Sequence, residues 1–286
     1  MKFCAIFLLF IVLGINGYDC KIVQFIFGDS LSDVGNNKNL PRSLATANLP
    51  YYGIDFGNGL PNGRFTNGRT VSDIIGDKIG LPRPVAFLDP SMNEDVILEN
   101  GVNYASGGGG ILNETGGYFV LHSLGARKLM VFGLGPMGCI PLQRALSLDG
   151  NCQNKASNLA KRFNKAASTM LLNLESKLPN SSYKFGEAYD LVNDVITNPQ
   201  KYGFDNSDSP CCSFYKIRPA LTCIPASTLC KDRSKYVFWD EYHPTDKANE
   251  LVANILIKRF DFMRADDGTS QAPSPAPDIA PSSDTN

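Results

Sequence analysis

Residues 22–37 constrain the fold of this chain more than any other stretch. Residues 22–27 form an apolar, β-branched run that is typical of a buried strand, and the run stops at Gly28-Asp29-Ser30. A serine at the carboxyl end of a buried parallel strand lies at the edge where α/β folds bind ligands. A helical turn behind it would offer free backbone N–H groups to an anion forming beside Ser30. The alternative is a plain turn in which Ser30 or Asp29 caps a helix.

Strand-like and helix-like segments alternate along the rest of the chain. The pattern predicts strands at residues 101–105, 128–133, 183–189 and 236–239, and helices from Val71, at residues 153–178, from Asp190 and after Thr245. Residues 36–69 are polar and rich in Gly, Pro and Asn, so we expect a long ordered loop that forms one wall of a binding cleft. Alternating strands and helices predict an α/β protein with a mainly parallel sheet.

Three predicted features concern helix ends and faces. Thr70 and Asp73 have the spacing of a capping pair. The predicted buried stripes of the two long helices consist of apolar residues at helical spacing, namely Ala156, Leu159, Ala160, Phe163, Ala167, Met170, Leu171 and Leu174 in the first and Ala248, Leu251, Val252, Ile255, Leu256 and Phe260 in the last.

The amino terminus predicts secretion. Residues 1–17 combine Lys2, an apolar segment at 3–15 and Gly17, which is the pattern of a signal peptide too short to span a bilayer. A buried N-terminal strand is the alternative, but a second apolar strand follows almost at once. No later stretch is apolar and long enough to anchor the chain, so we expect an extracellular protein, with the cell wall as one destination. A net charge of −1 without a basic cluster speaks against nucleic acid or an anionic membrane as a partner.

Secretion changes how the cysteines are interpreted. In an oxidising compartment they form disulfides more often than metal sites, and no Cys-x-x-Cys pair or His-rich segment is present. Cys139 with Cys152, and the four cysteines in residues 211–230, would make three bridges and leave Cys20 odd, although the pairing cannot be deduced. Asn113 and Asn180 start glycosylation sequons. Residues 266–286 predict a disordered tail, which leaves 18–265 as one domain.

The chain has only two histidines, His122 and His243, and a serine nucleophile needs a neighbouring base. Asp240 lies three residues before His243, so one turn could aim its carboxylate at the imidazole and steady the charge that forms when Ser30 loses its proton. Helix capping near Pro244 is the alternative for this pair. Ser106 precedes four consecutive glycines, which predict a site loop with a close backbone approach rather than a flexible linker.

Several ordered motifs carry a family resemblance. Residues 27–37, 103–108 and 240–244 resemble three sequence blocks of the plant secreted GDSL esterase/lipases of the SGNH hydrolase superfamily, and residues 62–65, 135–139 and 211–212 match further landmarks. Serine replaces the second glycine of the Gly-x-Ser-x-Gly elbow, so an α/β-hydrolase is not indicated. The resemblance implies a flavodoxin-like three-layer α/β/α sandwich with a parallel sheet. It also implies hydrolysis of small acyl esters with neither a cofactor nor a metal.

The resemblance also implies residue roles. Ser30 would be the nucleophile, His243 the base and Asp240 its partner, while the backbone N–H groups of Ser30 and Gly107 would stabilise the oxyanion. The glycine run leaves the choice between Gly107 and Gly108 open.

One block of the family pattern is absent. A Gly-x-Asn-Asp block, which supplies a side-chain amide as a third oxyanion donor, has no counterpart after the glycine loop. Residues 121–127 look like the last turn of a helix whose earlier turns are missing, so we expect an internal deletion near 120–121 that removes the central strand. The strands on either side, 22–27 and 128–133, must then pair directly or leave backbone groups unpaired.

Two functions follow from these observations. The first is a secreted serine esterase with reduced activity, and the second is a non-catalytic secreted binding protein or vestigial family member. The natural ester and the oligomeric state cannot be deduced from the sequence.

Overall fold

The computed structural model describes residues 22–41, 43–110, 127–214 and 223–259. The helices and strands in chain order are β1 (Gln24–Ile26), α1 (Val71–Lys78), β2 (Val85–Ala86), α2 (Glu94–Asn100), β3 (Gly101–Asn103), β4 (Lys128–Phe132), α3 (Pro141–Ala145), α4 (Asn154–Lys177), β5 (Ser182–Gly186), α5 (Tyr189–Thr197), β6 (Asn206–Pro210), β7 (Cys212–Ser213), β8 (Thr228–Leu229), β9 (Tyr236–Phe238) and α6 (Asp246–Arg259). The predictions that lie outside the described residues concern the signal peptide 1–17, Cys20, Asn113, the junction 120–121, His122, Phe260 and the tail 266–286.

Most strand pairs are parallel. The first sheet has the order β1-β3-β2 with both pairs parallel, and Ile26 lies opposite Asn103. β4 with β5 and β6 with β9 form two further parallel pairs, whereas the short β7–β8 pair is antiparallel. The predicted α/β class with mainly parallel strands is confirmed. Among the described residues, however, the strands lie in four separate sheets, and no pairing joins β1 to β4.

β1 is less buried than its apolar sequence predicts. Phe25 is 52% exposed and Phe27 is 43% exposed. β1 pairs with β3 along one edge, and no described strand pairs with its other edge. The prediction of a buried strand is therefore wrong for the face that carries Phe25 and Phe27, because an apolar run is buried only if other elements cover it.

α1 forms where the capping pair predicts it. The hydroxyl of Thr70 accepts from the backbone N–H of Asp73, and the carboxylate of Asp73 accepts from the backbone N–H of Thr70 at 2.9 Å. Arg64 also binds Asp73, with both groups nearly buried and distances of 2.8 and 3.0 Å. Capping and the ion pair together attach the loop before α1 to the helix.

The buried face of α4 agrees with the predicted stripe at Ala160, Ala167 and Leu171 but departs from it elsewhere. Leu159 is 56% exposed and Met170 is 46% exposed, whereas two polar residues, Ser157 and Asn164, are buried. Asn164 binds both the N–H and the carbonyl of Leu134, at 2.7 and 2.8 Å. The buried face therefore includes polar positions that an apolar stripe does not predict, because these side chains bind the backbone that follows β4.

Two other helices also depart from the prediction in detail. Ala188 rather than Asp190 is the N-cap of α5. In α6 the buried residues include Ala253 and Asn249, which the apolar stripe did not predict, beside the predicted Ala248 and Leu256. No described helix is long and apolar enough to cross a membrane. β2 and α2 were not predicted at all.

The three predicted disulfide bridges are present. They join Cys139 to Cys152, Cys211 to Cys230 and Cys212 to Cys223. The last two lie in a core cluster around Trp239, in which the side chains of Trp239 and Tyr52 are fully buried and that of Phe65 is nearly so. This cluster lies directly behind the segment that carries Asp240 and His243.

Candidate active site

Ser30 lies in a single turn after β1. The backbone N–H groups of Ser32 and Asp33 both donate to the carbonyl of Asp29 at 3.1 Å, but the turn does not continue into a helix, and only a short 3-10 helix at Asn37–Asn39 follows later. Asp33 ends the turn because its carboxylate accepts from the backbone N–H groups of Gly35 and Asn36 at 2.8 and 2.7 Å. The predicted helix start is therefore only one turn, and it places Ser30 just beyond the sheet.

Asp240 and His243 lie in a tight turn after β9. The backbone N–H of Trp239 donates to the carbonyl of His243 at 2.7 Å, and Oδ1 of Asp240 accepts from the backbone N–H groups of Tyr242 and His243 at 2.8 Å each. α6 begins only at Asp246, so neither Asp240 nor His243 caps a helix. The turn directs the carboxylate toward the imidazole of the same segment.

The structure brings the three predicted residues together. Nε2 of His243 lies 2.8 Å from Oγ of Ser30, and Nδ1 lies 2.8 Å from both carboxylate oxygens of Asp240. Ser30 and His243 are 213 positions apart in the chain. Such a chain of contacts can carry a proton from a hydroxyl to an imidazole whose charge a carboxylate stabilises.

Asp240 is a buried carboxylate that remains acidic. It has no exposed surface, and burial by itself raises its pKa. The charge and hydrogen bond of His243, the N–H of Tyr242 and the hydroxyl of Tyr52 more than offset burial, so the pKa of Asp240 lies below its ordinary value. Asp240 can therefore act as the anion that orients the imidazole.

The two predicted oxyanion donors differ in their surroundings. The N–H of Ser30 has no hydrogen-bond partner among the described residues, whereas the N–H of Gly107 donates to Oδ2 of Asp33 at 3.0 Å. The next residue, Gly108, has a positive φ of 84° and an N–H without a partner in the same residues. Asp33 is fully buried; burial raises its pKa, and its backbone donors oppose that rise.

The glycine loop is packed rather than loose. A Cβ at Gly107 would lie 2.7 Å from Nδ2 of Asn37 and 2.8 Å from Phe65, and one at Gly109 would lie 3.1 Å from the carbonyl of Gly28. Only glycine fits such close approaches, so the loop is part of the site's framework and not a flexible linker.

Comparison with known proteins gives the family. The profile described as GDSL-like Lipase/Acylhydrolase matches residues 120–256. A GDSL esterase/lipase of Arabidopsis thaliana, At1g74460, is 74% identical over 366 aligned positions that cover all of both chains. The chain belongs to the GDSL esterase/lipase family. A second Arabidopsis thaliana member, At5g37690, is 35% identical over 90% of this chain and 92% of its own.

Family membership assigns the chain to the carboxylic ester hydrolases.

The alignment with the 74% identical GDSL esterase/lipase has 366 positions and this chain has 286 residues, so at least 80 positions (366 minus 286) face gaps in this chain. The length difference agrees in direction with the predicted deletion but does not say where the gaps lie. The deletion near 120–121 therefore stays a prediction.

Three side-chain amides near Ser30 already donate hydrogen bonds to backbone carbonyls. Nδ2 of Asn36 donates to the carbonyls of Asn103 and Ala105, that of Asn37 to the carbonyl of Gly107, and that of Asn103 to the carbonyl of Ser32, at 2.7 to 2.8 Å. These amides join the first two family blocks to each other. None of the three is free to replace the amide that the absent block would supply.

Two buried side chains beside the candidate triad were not found by sequence reasoning. Tyr52 lies in the loop of residues 36–69, and its hydroxyl is 2.8 Å from Oδ2 of Asp240. Glu241 has no exposed surface; Oε1 accepts from the hydroxyl of Ser213 at 2.6 Å and Oε2 has no partner. Burial raises the pKa of Glu241 to about 7. The sequence offered one signal for Glu241, its place in the family block at residues 240–244. It offered no signal for Tyr52.

Proposed function

We propose that this chain is a secreted serine esterase of the GDSL type in which Ser30, His243 and Asp240 form the catalytic triad. The observation that carries the proposal is the pair of 2.8 Å contacts on either side of the His243 imidazole, one to Ser30 and one to Asp240. The carboxylate accepts from Nδ1–H, which leaves the lone pair of Nε2 facing the serine hydroxyl.

The reaction follows from this arrangement. Oγ of Ser30 attacks the carbonyl carbon of an acyl ester while Nε2 of His243 takes the hydroxyl proton. The tetrahedral intermediate collapses, the C–O bond to the alcohol breaks, and the imidazolium returns the proton to the departing alkoxide. Water then repeats the sequence on the acyl-serine, which releases the acid and regenerates Ser30.

The oxyanion would be stabilised by backbone N–H groups. The partner-free N–H of Ser30 supports its predicted role. Because Asp33 already occupies the N–H of Gly107, the second donor is better assigned to Gly108, the alternative that the glycine run left open. With no third, side-chain donor, we expect turnover about 10²–10³-fold below that of a complete site.

Three features support an extracellular location. The N-terminal 17 residues have the signal-peptide pattern, the three disulfides suit an oxidising compartment, and Asn180 lies exposed in the turn between α4 and β5. Secretion and glycan attachment are tested together by mass analysis of the protein from the medium of plant cells. Protein found only inside the cells, with its N-terminal segment retained, would refute the proposed export.

Activity is tested with a short-chain nitrophenyl ester and Ser30→Ala as the matched control. A fluorophosphonate should label the peptide that contains Ser30, and Ser30→Ala should abolish both the label and the turnover. Labelling of Ser32 or Ser106 instead would overturn the assignment of the nucleophile.

The second candidate function is a non-catalytic binding or vestigial role. The edge of β1 that pairs with no described strand and the occupied N–H of Gly107 favour it, since both weaken an active site. Equal ester hydrolysis rates for wild type and Ser30→Ala, together with the absence of a covalent label on Ser30, would support this candidate.

A further inference from the structure

Tyr52 makes a contact that sets it apart from the other described side chains around the triad. Its hydroxyl donates to Oδ2 of Asp240 at 2.8 Å, and the residue has no exposed surface. Oδ1 of Asp240 already accepts two backbone N–H groups. Besides the imidazole of His243, Tyr52 provides the only donor to Oδ2 among the contacts of the described residues.

We propose that Tyr52 is a positioning residue of the esterase, whose hydroxyl fixes Oδ2 of Asp240 and lowers the pH at which the Asp240–His243 pair takes up a proton. The inference rests on the proposed function, because it assigns a role within the same triad. It adds a fourth side chain, at a position outside the three family blocks.

The backbone around Tyr52 is built to hold it. Tyr51 has a φ of +80° and Gly53 a φ of +71°, so Tyr52 lies between two residues in the left-handed region. A positive φ is uncommon for a non-glycine residue and persists only where surrounding contacts enforce it. Here the N–H of Gly53 donates to the carbonyl of Thr66 at 2.9 Å, which fixes the turn to the loop segment before α1.

Packing reinforces the same contact. The ring of Phe65 lies edge-on to that of Tyr52 at a centroid distance of 6.2 Å and against the imidazole of His243 at 5.1 Å. Phe65 therefore fills the space between the tyrosine and the histidine. A phenylalanine at position 52 keeps these ring contacts and removes only the hydroxyl, which makes Tyr52→Phe a clean test.

Removal of the hydroxyl should destabilise the ionised carboxylate of Asp240. The pair then binds its proton more tightly, so the acid limb of the rate profile moves up by about 1–2 pH units, as expected for one hydrogen bond to a charged group. kcat should fall about tenfold, since a less fixed carboxylate orients the imidazole less well. KM should stay within about twofold, because the buried Tyr52 touches no substrate.

Other groups that face the pair are unchanged in the variant. Glu241 and Tyr242 lie on the same segment, and both carry a pKa raised by burial; from the other side, the loop of residues 36–69 presents the uncharged Tyr52 and Phe65, and the turn after β1 presents Ser30. Because Glu241 and Tyr242 titrate in wild type and variant alike, the difference between the two profiles reports Tyr52.

The experiment has an arm that needs no turnover. In a His122→Gln background His243 is the only histidine, so its C–H proton resonances follow the protonation of the pair across pH 5–9. We compare wild type, Tyr52→Phe and the matched control Tyr183→Phe, a buried tyrosine of β5 outside the site. The midpoint should rise in Tyr52→Phe only, and the kinetic acid limb should rise with it.

A second variant covers the case in which Tyr52→Phe fails to fold. Incorporation of 3-fluorotyrosine at position 52 keeps the ring and makes the phenol a stronger donor, so the midpoint should move to lower pH. An unchanged midpoint in the folded variants overturns the inference whether or not the chain is active. A shifted midpoint in a chain without Ser30-dependent turnover supports the inference and refutes the proposed function instead.

Discussion

Glu241 makes the stability of this protein depend on pH in an unusual direction. Its carboxyl group is fully buried beside Asp240, with one oxygen bound to Ser213 and the other without a partner. Desolvation disfavours the charged form and raises the pKa from its ordinary value of 4.5 to about 7. Folding therefore keeps a proton on Glu241 that the unfolded chain has already released.

The sign and size of the effect follow from this difference. Between about pH 4.5 and 7 only the folded state holds the proton, so the stabilisation present below pH 4.5 is lost as the pH rises through 7. Each pH unit in that window is worth about 1.36 kcal/mol, which gives at most about 3 kcal/mol over the whole range. A loss of this size is a large share of the roughly 5–15 kcal/mol that stabilises a domain.

The test compares Glu241→Gln with wild type. Glutamine can keep the bond to Ser213 but cannot ionise, so the variant should match wild type near pH 4.5 and be more stable by up to about 3 kcal/mol at pH 8. Urea denaturation at each pH is followed by the fluorescence of Trp239, the only tryptophan in the chain. The exposed Glu99→Gln on α2 is the control and should follow wild type. Parallel curves for wild type and Glu241→Gln from pH 5 to 8 would refute the reasoning.

Two further predictions follow from buried contacts. Asp33→Asn places an amide NH₂ toward backbone N–H donors that now bind a carboxylate, so we expect a loss of about 3–6 kcal/mol of unfolding free energy from two broken bonds to a charged group; urea melts beside the exposed control Asp149→Asn check this, and equal losses would contradict it. Replacement of Cys212 and Cys223 by Ser should lower the unfolding free energy by about 2–4 kcal/mol and also slow fluorophosphonate labelling of Ser30, because this bridge lies in the cluster that packs Tyr52. The same replacement at Cys139 and Cys152, outside that cluster, should lower stability without the effect on labelling.

Local signals predicted local structure well. The spacing of Thr70 and Asp73 predicted the capping pair that starts α1, and the apolar run at residues 128–133 predicted β4. Both depend on interactions between residues close in the chain. The proximity of Ser30 to His243 is different: no local rule predicts a contact across 213 positions, and it was inferred from the need of a serine nucleophile for a base and from the family motifs.

Burial and contacts between distant segments were harder to predict. Phe25 belongs to an apolar run, but its exposure depends on which elements cover β1, and hydrophobicity does not reveal that. Asn164 occupies the buried face of α4 because it meets an unpaired loop backbone, which no periodicity of apolar residues can show. Tyr52 lies in a loop without periodicity, so nothing in its neighbourhood pointed to Asp240.

The framework around the triad does not depend on a sheet that joins β1 to β4. Asp246, at the start of α6, accepts from the backbone N–H and the guanidinium of Arg69 at 2.6 to 2.9 Å, and its own N–H donates to Asn67 at 2.8 Å. These bonds connect the loop that carries Tyr52 directly to the segment that carries His243. The glycine loop, in contrast, is attached to the β1 side through Asp33.

If the predicted deletion removes the central segment, the two parts of the site should respond to it differently. Proton transfer from Ser30 to His243 depends on contacts that the structure retains, and a fluorophosphonate needs little more than an activated serine. Ester turnover needs the oxyanion donors as well, and the retained amides near them are all engaged in backbone contacts. An intact triad with an incomplete oxyanion site predicts two results. Fluorophosphonate labelling should proceed at a rate near that of a full-length relative, whereas ester turnover should be about 10²–10³-fold lower than that of the relative.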